Sequence, residues 1–225
     1  MRDLLNELQV GQAPADVGLE YTPRSVSDSQ REILKAIQFL HCPDGFEVDA
    51  SFGNGSFYAS PEEWPTYRFD ADDTLSNCVP ACSTRLPLPE GSVASVVFDP
   101  PFLTYVRAAR TGNGRMVMAK RFSGYWRYDE LEQHYRDSLR EFARILRRKG
   151  VVVFKCQDII HNHKMHATHL NVVAWAAEHG FRLKDLFVLT AKHRMPRPNR
   201  KGPPQHARIH HSYFLVLEKC RAGAV

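Results

Sequence analysis

The stretch Ser95-Val-Val-Phe-Asp-Pro-Pro-Phe-Leu-Thr-Tyr105 decides how the chain folds. Its first half is apolar and β-branched, as a buried strand requires, and the run stops at Asp99. Pro100 and Pro101 then remove two backbone donors and fix two φ angles, so the strand cannot continue its ladder. Phe102 follows at once. A stiff, acceptor-rich corner therefore sits at the tip of a buried strand.

Outward from this corner the chain alternates strand and helix signals. Ser27 to His41, "SDSQREILKAIQFLH", predicts a helix capped by Ser27 or Asp28, with Ile33, Leu34, Ile37 and Phe39–Leu40 as its apolar stripe. Phe46 to Val48 reads as a short strand, followed by Asp49 and the glycines Gly53 and Gly55. "TYRFDADD" reads as another strand, closing in acids. "YDELEQHYRDSLREFARILRRKG" carries the strongest helical periodicity, through Leu131, Tyr135, Leu139, Phe142, Ile145 and Leu146. "GVVVFKCQD" predicts a buried strand, "MHATHLNVVAWAAEHG" a helix, and "FRLKDLFVLT" and "HSYFLVLEK" two further strands. Such alternation predicts an α/β sheet, mostly parallel, with helices on both faces and ligands at the strand ends.

The 225 residues suit one domain, with 43% hydrophobic and 24% charged residues. No apolar run is long enough to span a bilayer, and the first residues lack the apolar core of a secretion signal, so a cytoplasmic location is expected. The five cysteines, an odd number without paired motif spacing, read as thiols. The net charge of +5 is uneven: residues 103–127 hold six Lys or Arg and no acid, and residues 190–211 hold six more and no acid. The rest of the chain is net negative. Charge concentrated in this way suits a polyanionic partner, and Tyr105, Phe122, Tyr125 and Trp126 lie among the arginines of the first segment as candidate stacking faces. His161, His163, His166 and His169 suggest a metal only weakly, because no carboxylate or cysteine set joins them.

The order of three strand-tip features carries more than any one of them. A G-x-G turn alone is weak, and with Tyr58 in the third glycine's place it does not complete a dinucleotide fingerprint. Asp49-Ala50-Ser51-Phe52-Gly53-Asn54-Gly55-Ser56 followed by Asp70 and then by Asp99-Pro100-Pro101-Phe102 resembles the class I S-adenosylmethionine-dependent methyltransferases. More narrowly it is similar to their nucleic-acid amino-methyltransferases, with a D-P-P-Y/F signature, including small bacterial and phage enzymes. The resemblance runs from Ser27 to Lys219, leaving 1–26 as a lead and 220–225 as a tail.

That resemblance implies a single Rossmann-like domain over 27–219, with a mostly parallel seven-stranded sheet and an antiparallel C-terminal strand. It implies S-adenosyl-L-methionine as cofactor, held by Asp49, Ser51, Phe52, Gly53, Gly55 and Asp70, with Asp72 or Asp73 as alternatives for the ribose. Ser83 stands where the family usually has an acid for the adenine amine. Catalysis falls to Asp99, Pro100, Pro101 and Phe102, the first two accepting the target amine's hydrogens and Phe102 stacking on a flipped base. Arg107, Arg110, Lys120, Arg121, Arg194, Arg197, Arg200 and Lys201 are the expected substrate contacts. The expected partner is nucleic acid, DNA ahead of RNA, and the expected reaction is methylation of adenine N6. Cytosine N4, an RNA adenine, a protein lysine and an inactive nucleic-acid-binding module are the alternatives.

Overall fold

A computed structural model describes residues 21–104, 125, 127–191, 203 and 205–220. Its strands are β1 (Val26–Ser27), β2 (Val48–Asp49), β3 (Tyr67–Asp70), β4 (Val79–Pro80), β5 (Val93–Phe98), β6 (Leu146–Cys156), β7 (Ile159–His161), β8 (Lys164–His166), β9 (Phe181–Thr190) and β10 (His211–Lys219). The helices are α1 (Gln30–His41), α2 (Tyr128–Ile145) and α3 (Thr168–Glu178), with a 3₁₀ turn at Pro61–Glu63. An eight-stranded sheet runs in the order β1-β9-β10-β6-β5-β2-β3-β4, and β7–β8 form a separate hairpin. Strand β10 is antiparallel to both its neighbours, and every other pairing in the large sheet is parallel. The expected α/β architecture with a reversed C-terminal strand is therefore present. The eighth strand is β1, two residues that pair with β9.

Alternation along the central strands divides the core by face. Val96, Phe98, Val152, Phe154, Leu215 and Leu217 pack in one cluster with Leu131, Tyr135, Leu139 and Phe142 of α2 and Val172 and Trp175 of α3. Val97, Val151, Val153, Phe214 and Val216 pack in the other with Ile33, Leu34, Ala36 and Ile37 of α1. The helices thus lie on both faces. None of those described is long and apolar enough to cross a membrane.

Several boundaries differ from expectation. Ser29, rather than Ser27 or Asp28, caps α1, its Oγ accepting the Glu32 N–H at 3.4 Å. Phe39 and Leu40 are exposed, and Ala36 takes their place on the buried stripe. Strand β2 is Val48–Asp49 rather than Phe46–Val48. Leu146 leaves α2 and opens β6, and Met165 and His166 belong to β8, so α3 starts only at Thr168. At β2, β6 and β8 strand pairing overrides the local pattern.

The order of the sheet fixes where a ligand can sit. From β2 the chain steps outward through β3 to β4, then returns to place β5 on the other side of β2. The β2/β5 boundary is thus a topological switch point, and its carboxyl end opens a crevice. Phe98 anchors that end of β5: it is 1% exposed and packs edge-to-face against the rings of His134, Tyr135, Phe142 and Phe154. Phe98→Ala should lower stability by about 3–5 kcal/mol in a denaturant titration. A loss below about 1 kcal/mol would show that this aromatic cluster does not hold the strand tip.

Candidate active site

Asp49 and Asp99 stand on either side of the switch point, and Ser51 joins them. Asp49 ends β2, while Asp99 follows the last residue of β5. The Ser51 amide donates to Asp49 Oδ1 at 2.8 Å, and the Asp99 amide donates to Ser51 Oγ at 2.7 Å. Tyr58 donates its hydroxyl to Asp49 Oδ2 at 2.7 Å. Asp49 is 1% exposed, and this burial pushes its carboxyl up to about 7 despite the Tyr58 bond.

The glycine turn is fastened to β3. Phe52 donates its N–H to Phe69 O at 2.9 Å and Gly53 donates to Asp70 Oδ2 at 2.8 Å. Asp70 Oδ1 accepts the Asp72 amide at 2.9 Å. Each carboxylate oxygen keeps further acceptor capacity. The other acids at this tip are placed differently: Asp72 is exposed and turned to Thr74, whose hydroxyl and amide bonds hold its carboxyl below the usual range, and Asp73 is exposed.

The two glycines serve different ends. Gly53 has φ +57° and a Cβ built there would meet nothing within 4 Å, so its backbone is open to a ligand. Gly55 has φ +80°, and a Cβ there would lie 2.8 Å from the Trp64 ring. Phe52 is 2% exposed, packed against Tyr58 and Trp64. The Phe52 side chain and Gly55 therefore shape the turn from behind.

At the D-P-P-F corner, Asp99 is held on one side only. Lys155 Nζ of β6 donates to Asp99 Oδ2 at 2.9 Å and to Gln30 Oε1 of α1 at 3.0 Å. Gln30 in turn donates to Phe57 O at 3.0 Å. Asp99 Oδ1 is buried, and no described residue donates to it. Burial raises the Asp99 carboxyl above its usual range, and the Lys155 charge and hydrogen bond oppose that rise. Pro100 is buried, Pro101 and Phe102 are half-buried, and Tyr135 donates its hydroxyl to Pro101 O at 2.9 Å. The Tyr125 amide donates to Leu103 O at 2.9 Å.

Ser83 turns toward α2. Its Oγ lies 2.8 Å from His134 Nε2 and 2.9 Å from Ser138 Oγ, and the residue is 5% exposed. His134 Nδ1 is hydrogen-bonded to the Tyr125 hydroxyl. The serine thus ties the loop after β4 to α2 and, through Tyr125, to the segment after Phe102.

Lys155 is a site residue that the apolar pattern of "GVVVFKCQD" conceals. A lysine inside such a run has to find a counter-charge, and this is the signal that marks it. The histidines are dispersed: His161 and His166 lie in the β7–β8 hairpin, His166 stacks on Tyr128 at 3.8 Å, and His169 Nδ1 meets Asp158 Oδ1 at 2.7 Å. Among the described residues no group of three or more His, Cys, Asp or Glu could hold a metal. The expected substrate contacts Arg107, Arg110, Lys120, Arg121, Arg194, Arg197, Arg200 and Lys201, with Tyr105, Phe122 and Trp126, lie outside the described residues.

The Asp49 environment makes stability depend on pH. Its folded carboxyl sits near 7, above the ordinary 3.8, so the folded state holds the proton more tightly than the unfolded chain. That stabilisation is complete below 3.8 and is lost as pH rises through about 7. Asp49→Asn, which keeps an acceptor for Ser51 and a polar partner for Tyr58, should flatten the decline in unfolding free energy across this window. An unchanged slope in denaturant titrations at several pH values would show that Asp49 is not the group responsible.

No family model and no curated protein matches the chain. Solved structures with a similar fold include TrmN from Thermus thermophilus, with 17% identity over 84% of this chain and 48% of that one, TM-score 0.49. They also include an S-adenosylmethionine-dependent methyltransferase from Methanosarcina mazei, with 8% identity over 82% and 97%, TM-score 0.46. A third is a Thermus thermophilus protein proposed to be a DNA modification methylase and crystallised with S-adenosyl-L-methionine. It is 20% identical over 60% of this chain and 50% of its own, TM-score 0.39. The chain thus spans about half the length of that methylase.

Proposed function

We propose that the chain is an S-adenosylmethionine-dependent methyltransferase acting on the exocyclic amine of a nucleic-acid base, with adenine N6 in DNA as the favoured target. The observation that carries this reading is Asp99 Oδ1, a buried carboxylate oxygen without a described donor, beside two prolines at the switch point of the sheet.

The residues at the tips of β2 and β3 fit the cofactor. Gly53 leaves open space where a side chain would project. Asp70 is already fixed to that turn by the Gly53 N–H, and its remaining lone pairs suit the two hydroxyls of a ribose. Asp49 and Ser51 set the floor of the turn, and Phe52 and Gly55 set its curvature. Ser83, expected to meet the adenine amine, hydrogen-bonds His134 and Ser138 of α2 and keeps one further site for that amine. When bound, S-adenosylmethionine supplies an electrophilic methyl group on a sulfonium.

The corner supplies orientation. Asp99 Oδ1 accepts one hydrogen of the target amine, and the Pro100 carbonyl accepts the other. An amine so held has its lone pair turned out of conjugation with the ring. The proline rings and the Tyr135 bond to Pro101 O keep these acceptors in place before the base arrives. Phe102 stacks on the flipped base, and the basic side chains at 103–127 and 190–211 neutralise phosphates. Cytosine N4 and RNA adenines present the same two hydrogens, so the same geometry serves them.

Two measurements test the reading. Asp99→Ala should cut single-turnover methyl transfer by roughly 10²–10³ while leaving cofactor affinity unchanged, with the modified nucleoside identified after digestion of labelled nucleic acid. Transfer at the parent rate by a folded variant would remove Asp99 from catalysis. Gly53→Ala should lose S-adenosylmethionine binding by calorimetry with only the modest stability cost of an alanine at positive φ, whereas Gly55→Ala should lower thermal stability more, because it adds a clash with Trp64 to the same backbone strain. Unchanged affinity in Gly53→Ala would place the cofactor elsewhere.

A further inference from the structure

Lys155 is a charged side chain near the carboxyl end of the central strand β6, and its surroundings limit what it can do there. Its side chain is 12% exposed and its Nζ lies 5.2 Å from the Phe57 ring centroid and 5.6 Å from that of Phe214. Register fixes its position: Phe98 pairs with Phe154 across β5/β6 and Lys155 pairs with Phe214 across β6/β10, so Lys155 emerges beside Asp99. Two oxygens take its hydrogens, Asp99 Oδ2 at 2.9 Å and Gln30 Oε1 at 3.0 Å. Gln30 is braced in turn by its bond to Phe57 O.

We propose that Lys155, steadied by Gln30, is a positioning residue for the methyl-transfer site: it occupies Asp99 Oδ2, keeps that carboxylate ionised, and leaves Oδ1 alone to receive the target amine. The inference rests on the function proposed above. Without Lys155 the desolvation that raises the Asp99 carboxyl would be unopposed and would favour the protonated acid where an acceptor is needed, and a carboxyl with both oxygens free could turn either one to the base. Of the other ionisable groups facing Asp99, Asp49 on β2 is a second acid that opposes its charge, and Tyr58 of the following loop and Tyr135 of α2 are held neutral and supply no positive charge. Among the groups described around Asp99, Lys155 is the one that favours ionisation.

The pH dependence separates this role from a structural one. In Lys155→Met the acid limb of the single-turnover rate should move to higher pH by about 1–3 units. Raising the pH should then restore much of the lost rate, with cofactor affinity little changed. Lys155→Arg should keep the parent limb. Independently of turnover, the Asp99 side-chain carboxyl, assigned by comparison with Asp99→Asn in carbon-13 spectra, should titrate at higher pH in Lys155→Met. A folded Lys155→Met protein whose Asp99 titration is unmoved would overturn the proposal. If the parent enzyme transfers no methyl group to nucleic acid, the proposed function fails, while the carboxyl titration still decides whether Lys155 sets the state of Asp99.

Discussion

Asp99 stands at the carboxyl tip of β5 with its Oδ1 buried, a setting that disfavours an unpaired carboxylate, and its pairing with Lys155 makes the charge tolerable. That one ion pair joins three elements of the fold. The β5/β6 ladder makes it possible, since it brings residues 56 apart in sequence to the same level as a cation and an anion. The pair brings the first turn of α1 to the sheet, because Gln30 completes the lysine's hydrogen bonds. The pair also leaves the acid asymmetric, with one oxygen committed and the other without a donor among the described residues.

The second acid of the crevice shows the opposite solution. Asp49 has no described cation bonded to it; a tyrosine hydroxyl and the Ser51 amide take its oxygens, and burial lifts it close to neutrality. Ser51 passes this constraint across the switch point through the Asp99 amide. The turn after β2, the tip of β3 and the corner after β5 therefore form one hydrogen-bonded unit rather than three separate loops. A turn with open space over Gly53 and with Gly55 pressed on Trp64 has a rigid back and an accessible front, which is the form a cofactor cradle needs.

The legible parts of this fold are those whose pattern is long. Strand β10 and the body of β9 are written as apolar runs, and α2 as a sustained helical stripe, so their bounds lie close to the expected ones. The two-residue strands β1 and β4 have no periodicity to read, and their pairing depends on β9 and β3 alone. The β7–β8 hairpin is hidden because its histidines run directly into a helical pattern. At the site, the glycine turn, Asp70 and Asp99 are visible as a sequence order. Ser83 is placed by analogy of position, yet His134 and Ser138, more than fifty residues away, claim its hydroxyl. For Lys155 the need of a counter-charge can be read from its apolar neighbours, but its partner cannot, because the end of another strand supplies it.

The most direct test of the account is a crystal structure of the protein with S-adenosylhomocysteine and a short oligonucleotide carrying the methylatable base. The base should be turned into the crevice at the β2/β5 boundary, its exocyclic amine within hydrogen-bond distance of both Asp99 Oδ1 and the Pro100 carbonyl, with Lys155 still on Asp99 Oδ2. A base amine bound away from Asp99, or a homocysteine ligand lying elsewhere than over Gly53 and Asp70, would contradict it.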